Sequence, residues 1–109
     1  MRAWAKANGV ALAAYLSAYI EGLRWALDPT NKMEAVNLYA GRLNLPHDMA
    51  EETYAIATDP VRGFAKDASF DQAGFACVLR LRADFEGHPP AAPEKYIDLS
   101  YYEGALAGL

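Results

Sequence analysis

Val10-Ala11-Leu12-Ala13-Ala14-Tyr15-Leu16-Ser17-Ala18-Tyr19-Ile20-Glu21-Gly22-Leu23-Arg24-Trp25-Ala26-Leu27 is the stretch on which the fold turns. Leu12, Tyr15, Leu16, Tyr19, Leu23 and Leu27 recur at helical spacing, which predicts a helix over 10–27 with Asn8 as its cap. Val10, Ala13, Ala14 and Ile20 fall on the other side, so the first half is apolar nearly all round. Such a helix has to be covered on several sides. Ala18, Gly22 and Ala26, four apart, let a neighbour approach closely, although Gly22 weakens the helix itself. Glu21 and Arg24 cut the apolar run short of the roughly 20 residues a membrane span needs, so no membrane insertion is expected. A short turn over 2–7 joins it from the N-terminal side.

Working outward, Asp28 and Pro29 stop this helix. Asn31 and Glu34 have the spacing of a reciprocal capping box, which predicts a second helix over 31–44 with the stripe Met33, Val36, Ala40 and Leu43. Pro46 suits the first turn of a third, over 47–57, where Asp48, Glu51 and Glu52 favour the positive helix start. Its inner face reads as Met49, Thr53, Ile56 and Ala57. Two short loops then make antiparallel neighbours of the three helices. Asp59, Pro60 and Gly63 mark a turn, with Phe64 and Phe70 expected to point inward.

Asp71 caps a fourth helix over 72–86, with Phe70 and Phe75 placed to clasp across its start. Phe75, Val78, Leu79, Arg82 and Phe85 mark its face, and Gly87 ends it in a left-handed conformation. His88-Pro89-Pro90-Ala91-Ala92-Pro93 has to run extended. Ser100 with Glu103 reads as a capping box for a last helix over 101–107. No alternating run is long enough for a strand, and no repeat emerges. The expected fold is all-α: a single helical domain over 1–109, four to five helices in a small bundle-like array with an extended Pro-rich strap before the last.

At 109 residues the chain buries only about 60–70% of its unfolded surface, so its core is modest. With 53% apolar and 22% charged residues it has a globular balance. The net charge of −4, with Lys and Arg scattered singly, excludes a nucleic-acid partner. Cys77, the single cysteine, cannot form an internal disulfide, and its apolar run from Phe75 to Leu79 reads as packed core. Met1 to Lys6 lack the features of an export signal, so the chain as written is expected in the cytoplasm.

No catalytic or metal site is expected. His47, His88 and Cys77 each stand alone in their segments, and metal ligands need to share a face. Glu51 and Glu52 are adjacent and point about 100° apart on a helix, which suits cap electrostatics rather than acid–base work. Gly63, Gly104 and Gly108 are isolated, so no phosphate loop is formed. Tyr96, Tyr101 and Tyr102, with Trp4 and Trp25, have the amphipathic character to line a pocket but read as packing anchors. The chain is therefore expected not to be an enzyme and to use no cofactor.

Tyr19-Ile20-Glu21-Gly22-Leu23-Arg24-Trp25 with Asp28-Pro29 is followed in order by Arg42-Leu43-Asn44-Leu45-Pro46 and Ala50-Glu51-Glu52-Thr53-Tyr54. Asp59-Pro60, Gly63-Phe64-Ala65, Asp71, Gly74-Phe75 and Tyr96-Ile97-Asp98-Leu99-Ser100-Tyr101-Tyr102 complete the series. In that order they resemble the C-terminal third of the NMT1/THI5-like (SsuA-like) periplasmic solute-binding proteins of ABC transporters. The resemblance implies the C-terminal subdomain of a two-lobed α/β fold, whose intact parent captures a small-molecule solute and delivers it to an ABC permease. Sulfonates, nitrate-like anions and thiamine-precursor pyrimidines are solutes of that family. The parent would be periplasmic. It implies no ligand-binding residue here, because the family's final helices mostly buttress the lobes.

Without both sheets, such a piece leaves apolar surface bare and is expected to self-associate as a homo-oligomer. The alternative reading is a free-standing helical protein–protein interaction or dimerisation module. For either, Leu12, Leu16, Tyr19 and Leu23 are the expected association face.

Overall fold

A computed structural model describes all of residues 1–109 and contains six helices and no strand. They are α1 (Arg2–Ala7), α2 (Gly9–Leu27), α3 (Lys32–Leu43), α4 (His47–Ala57), α5 (Gln72–Glu86) and α6 (Ser100–Ala107). Single 3₁₀ turns at Pro29–Asn31, Lys66–Ala68 and Pro93–Lys95 punctuate the loops. No helix is long and apolar enough to cross a membrane.

α3 and α4 form an antiparallel hairpin whose turn is made by two local devices. Asn44 takes the left-handed conformation (φ 52°), and the Leu45 N–H returns to the Ala40 carbonyl at 3.0 Å. That is the 6→1 bond of a helix-ending motif in which the following apolar residue folds back on the helix. Leu45 accordingly packs against the cluster Ala35, Val36, Ala50 and Tyr54, as do Trp25 of α2 and Tyr39. The Tyr54 hydroxyl donates to the Ala26 carbonyl at 3.0 Å, tying α4 to the end of α2.

α6 lies along the first half of α2, with Tyr101 against Gly9 and the Ser17 hydroxyl donating to the Ala105 carbonyl. Ile20 and Leu23 are the buried residues of α2, and Ala105 is the buried residue of α6. The chain leaves α4 through a turn in which the Asp59 carboxylate accepts from the Val61 and Arg62 N–H groups. Gly63 is required there, since a Cβ would stand 2.4 Å from the Ala57 carbonyl oxygen.

α5 stands apart. The Asp71 carboxylate accepts from the Gly74 N–H at 2.8 Å, and Gly87 closes the helix at φ 72°. Its packing within the chain is to the Pro93–Lys95 turn, and the preceding strap doubles back beside Ala76 and Leu79. Only nine residues of the whole chain are buried. The radius of gyration is 17.6 Å, over extents of 49 × 35 × 22 Å. A globular domain of this length would have a radius of about 13 Å. The helices form an open array.

Several expectations are corrected. The Asn8 amide does not cap α2 but donates backward to the Trp4 carbonyl at 2.9 Å, bridging α1 to α2. Asn31 makes no capping box with Glu34 and instead donates to the Trp25 carbonyl; Asp28 caps the intervening 3₁₀ turn at Thr30. Ser100 and Glu103 form no box either, because Ser100 is already helical and both its N–H and its hydroxyl bond to Asp98. In each case a carboxylate or carbonyl already placed by the preceding turn takes the donor first.

The inner faces shift as well. On α4, Ala50 and Tyr54 are buried while Met49 and Ile56 are exposed; on α3, Val36 is buried and Met33 and Leu43 are exposed. Phe64 and Phe70 are exposed, although Phe70 does clasp Phe75 edge to face at 5.4 Å. Cys77 is exposed rather than in the core, and so are Val78 and Phe85, because no other helix covers that side of α5.

Candidate functional site

No three His, Cys, Asp or Glu side chains come together. His47 and His88 lie in separate regions. The His88 ring bonds to the Pro89 carbonyl at 2.8 Å and to Glu86 at 2.5 Å, and both contacts hold its pKa above the ordinary histidine value. Glu86 in turn is held below the usual carboxylate range, first by Arg82 and then by His88. These three groups are exposed and serve the C-terminal end of α5.

A polar junction that joins three parts of the chain centres on Asp67. Its carboxylate accepts from Arg24 Nε at 2.6 Å, and its carbonyl accepts from the Tyr102 hydroxyl at 2.9 Å. Asp67 thereby joins α2, the loop after α4, and α6, from a left-handed backbone position (φ 56°). The Arg24 hydrogen bond is the main cause that lowers its pKa, against a smaller opposing cost of desolvation. These contacts act as a structural clamp, tying three separate parts of the chain together at one residue.

The tyrosines and tryptophans do not line a common pocket. Tyr101 packs on Gly9, Tyr102 bonds to Asp67, Tyr96 stands edge-on to Phe75 at 6.4 Å, Trp25 joins the α3–α4 cluster and Trp4 is exposed.

What the chain presents is apolar surface. Of the face expected to associate, Leu23 is buried, Leu12 and Leu16 are half-buried and Tyr19 is 47% exposed, so one edge of it remains open. Ile20, between Leu16 and Leu23, is fully buried. Val10 (89% exposed) and Tyr15 extend the open surface around the far side of α2. Beside it, Trp25, Ala26, Leu38, Tyr39 and Leu43 line a groove of about 280 Å³ in which Arg42 is the one charged member. On α5, Val78, Leu81 and Phe85 form a third bare stripe. The sequence signal for the α5 stripe was the same spacing that was assigned to core.

The total accessible surface is 8231 Å². A folded monomer of 11.9 kDa would expose about 5,900 Å² by the usual scaling with mass. The excess is that of helices laid out in an open array rather than closed on one core. Scans against protein-family models, curated proteins and solved structures return no match to this chain.

Proposed function

We propose that this chain is the helical C-terminal portion of an ABC-importer solute-binding protein of the SsuA-like kind. In this reading, capture of the solute and its delivery to the permease belong to the intact parent. The observation that carries it is the accessible surface, which exceeds by more than a third that of a self-contained domain of this mass. The ordered series of motifs from Tyr19 to Tyr102 supports the assignment, and so does the lack of any enclosed polar cavity built from the chain's own residues.

The open faces of α2 and the groove beside Tyr39 are then surfaces that pack against the parent's lobes. The local hairpin and the Asp67 clamp hold the buttress in shape while it does so. Titration calorimetry of the 109-residue chain against sulfonates, nitrate and pyrimidines tests the reading. It predicts no saturable heat from the chain alone. It also predicts that the chain, mixed with an SsuA-like protein lacking its own last third, restores saturable binding. Saturable binding by the isolated chain would overturn it.

The bare stripe on α5 favours one other reading, a free-standing helical module that works by pairing with protein surfaces. The mixing experiment separates the two, because such a module would rescue nothing.

A further inference from the structure

α5 carries two apolar faces, and the chain covers only one. Leu79 and Ala83 turn toward the strap and are buried. Cys77, Val78, Leu81 and Phe85 lie on the opposite side, with exposures of 57%, 65% and 93% for the last three. Their spacing of one, three and four residues makes a continuous stripe along a helix, the pattern with which one helix meets another.

The charges beside this stripe are self-complementary. Arg80 and Asp84 lie on the same flank, one turn apart, and neither is in an ion pair within the chain, whereas Arg82 on the other flank is held by Glu86 at 2.9 Å. Suppose two α5 helices lie antiparallel about a two-fold axis at Leu81. Residues on one flank of one helix then face the same flank of its partner. Arg80 comes within about 3 Å, along the axis, of the partner's Asp84, because the two sit one and three residues from the symmetry axis at 1.5 Å per residue. The same pairing repeats on the other side of the axis. Cys77 lands level with the partner's Phe85, filling the space around that ring.

We infer that this chain forms a symmetric dimer through α5, with Val78, Leu81 and Phe85 meeting their counterparts on a second copy and reciprocal Arg80–Asp84 pairs fixing the antiparallel register. This goes beyond the transport reading and does not depend on it: the surfaces given there to the parent lie on α2 and α3. A single pair of 15-residue helices falls at the small end of specific interfaces, so the dimer is a weak one.

Sedimentation equilibrium and cysteine cross-linking test it. At roughly 100 µM, where a weak interface is populated, the wild-type chain is expected to show a monomer–dimer equilibrium, and Leu81→Asp to abolish it with an unchanged helical CD spectrum. Asp84→Arg should weaken association about tenfold, and the double variant Arg80→Asp with Asp84→Arg should restore it. Under mild oxidation, Leu81→Cys in a Cys77→Ala background is expected to cross-link the dimer at the symmetry axis. Phe85→Cys should cross-link to the partner's native Cys77. Wild-type Cys77 should stay reduced, because it lies about 12 Å along the axis from its own counterpart, beyond disulfide reach. A monomeric wild type overturns the inference. So does a dimer that survives Leu81→Asp, or one in which Val10→Cys in the Cys77→Ala background cross-links as fast as Leu81→Cys.

Discussion

The α3–α4 hairpin and α5 carry comparable apolar stripes, yet one is closed and the other open. Val36, Ala50 and Tyr54 are sealed by their own neighbour across a short turn and by Trp25 from α2. Leu79 lies beside an extended strap rather than a helix, and Val78, Leu81 and Phe85 stay exposed. The difference is one of connection rather than composition. A tight left-handed turn at Asn44 forces two helices face to face, whereas the long loop before α5 and the prolines after it bring no second helix alongside. Apolar periodicity states that a helix face will be covered. It does not state by what.

That contrast can be broken most directly in the hairpin. Tyr54→Ala removes a buried ring and should destabilise the chain by about 3–5 kcal/mol, comparable to other large aromatic truncations, as read by urea denaturation. A loss under 1 kcal/mol would mean that the hairpin is no better packed than α5. Next in size, Asp71→Ala deletes the carboxylate that accepts from the Gly74 N–H and should cost about 1 kcal/mol. Because α5 stands apart, hydrogen exchange should speed up in α5 and leave α3 and α4 unchanged. Equal acceleration everywhere would show that the two regions unfold together.

Tyr54→Phe keeps the ring and loses only the hydroxyl bond to the Ala26 carbonyl, so it should cost about 0.5–1.5 kcal/mol and loosen the α2–α4 contact alone. Smaller again is the contribution of the exposed Arg24–Asp67 pair, which water screens. Its sign is nevertheless fixed. The folded Asp67 pKa lies below its unfolded value, so the pair's contribution is present above about pH 4 and is lost as the pH falls through the lower folded value. An NMR titration of the Asp67 carboxyl carbon should place its midpoint below that of an ordinary aspartate, and Arg24→Gln should return it upward. Last, Phe85→Ala in dilute solution should change monomer stability by no more than about 0.5 kcal/mol, since the ring is 93% exposed.

The features legible from the sequence share a short range. The Asp71 cap, the Phe70–Phe75 clasp, the Gly87 stop and the extended course after His88 are decided within a handful of neighbouring residues, and the structure has each of them. Where a second acceptor lay equally close, local reading failed: Asp28 and Asp98 took the turns before α3 and α6 that the capping boxes were expected to take. The Asp67 clamp was invisible, because its partners at 24 and 102 are separated by most of the chain and an isolated Asp in a loop gives no sign of them. The candidate surface was half legible. Leu23 and Leu16 were read as a face to be covered, and α2 does bury Leu23. Yet Ile20, assigned to the opposite side, is fully enclosed.

From its residues alone this chain had to be helical, because its apolar side chains recur at the period of a helix and its turns carry the residues that end one. Which apolar residues would be inside was settled only in three dimensions. Burial depends on a second surface arriving, and for Cys77, Val78 and Phe85 no part of this chain arrives.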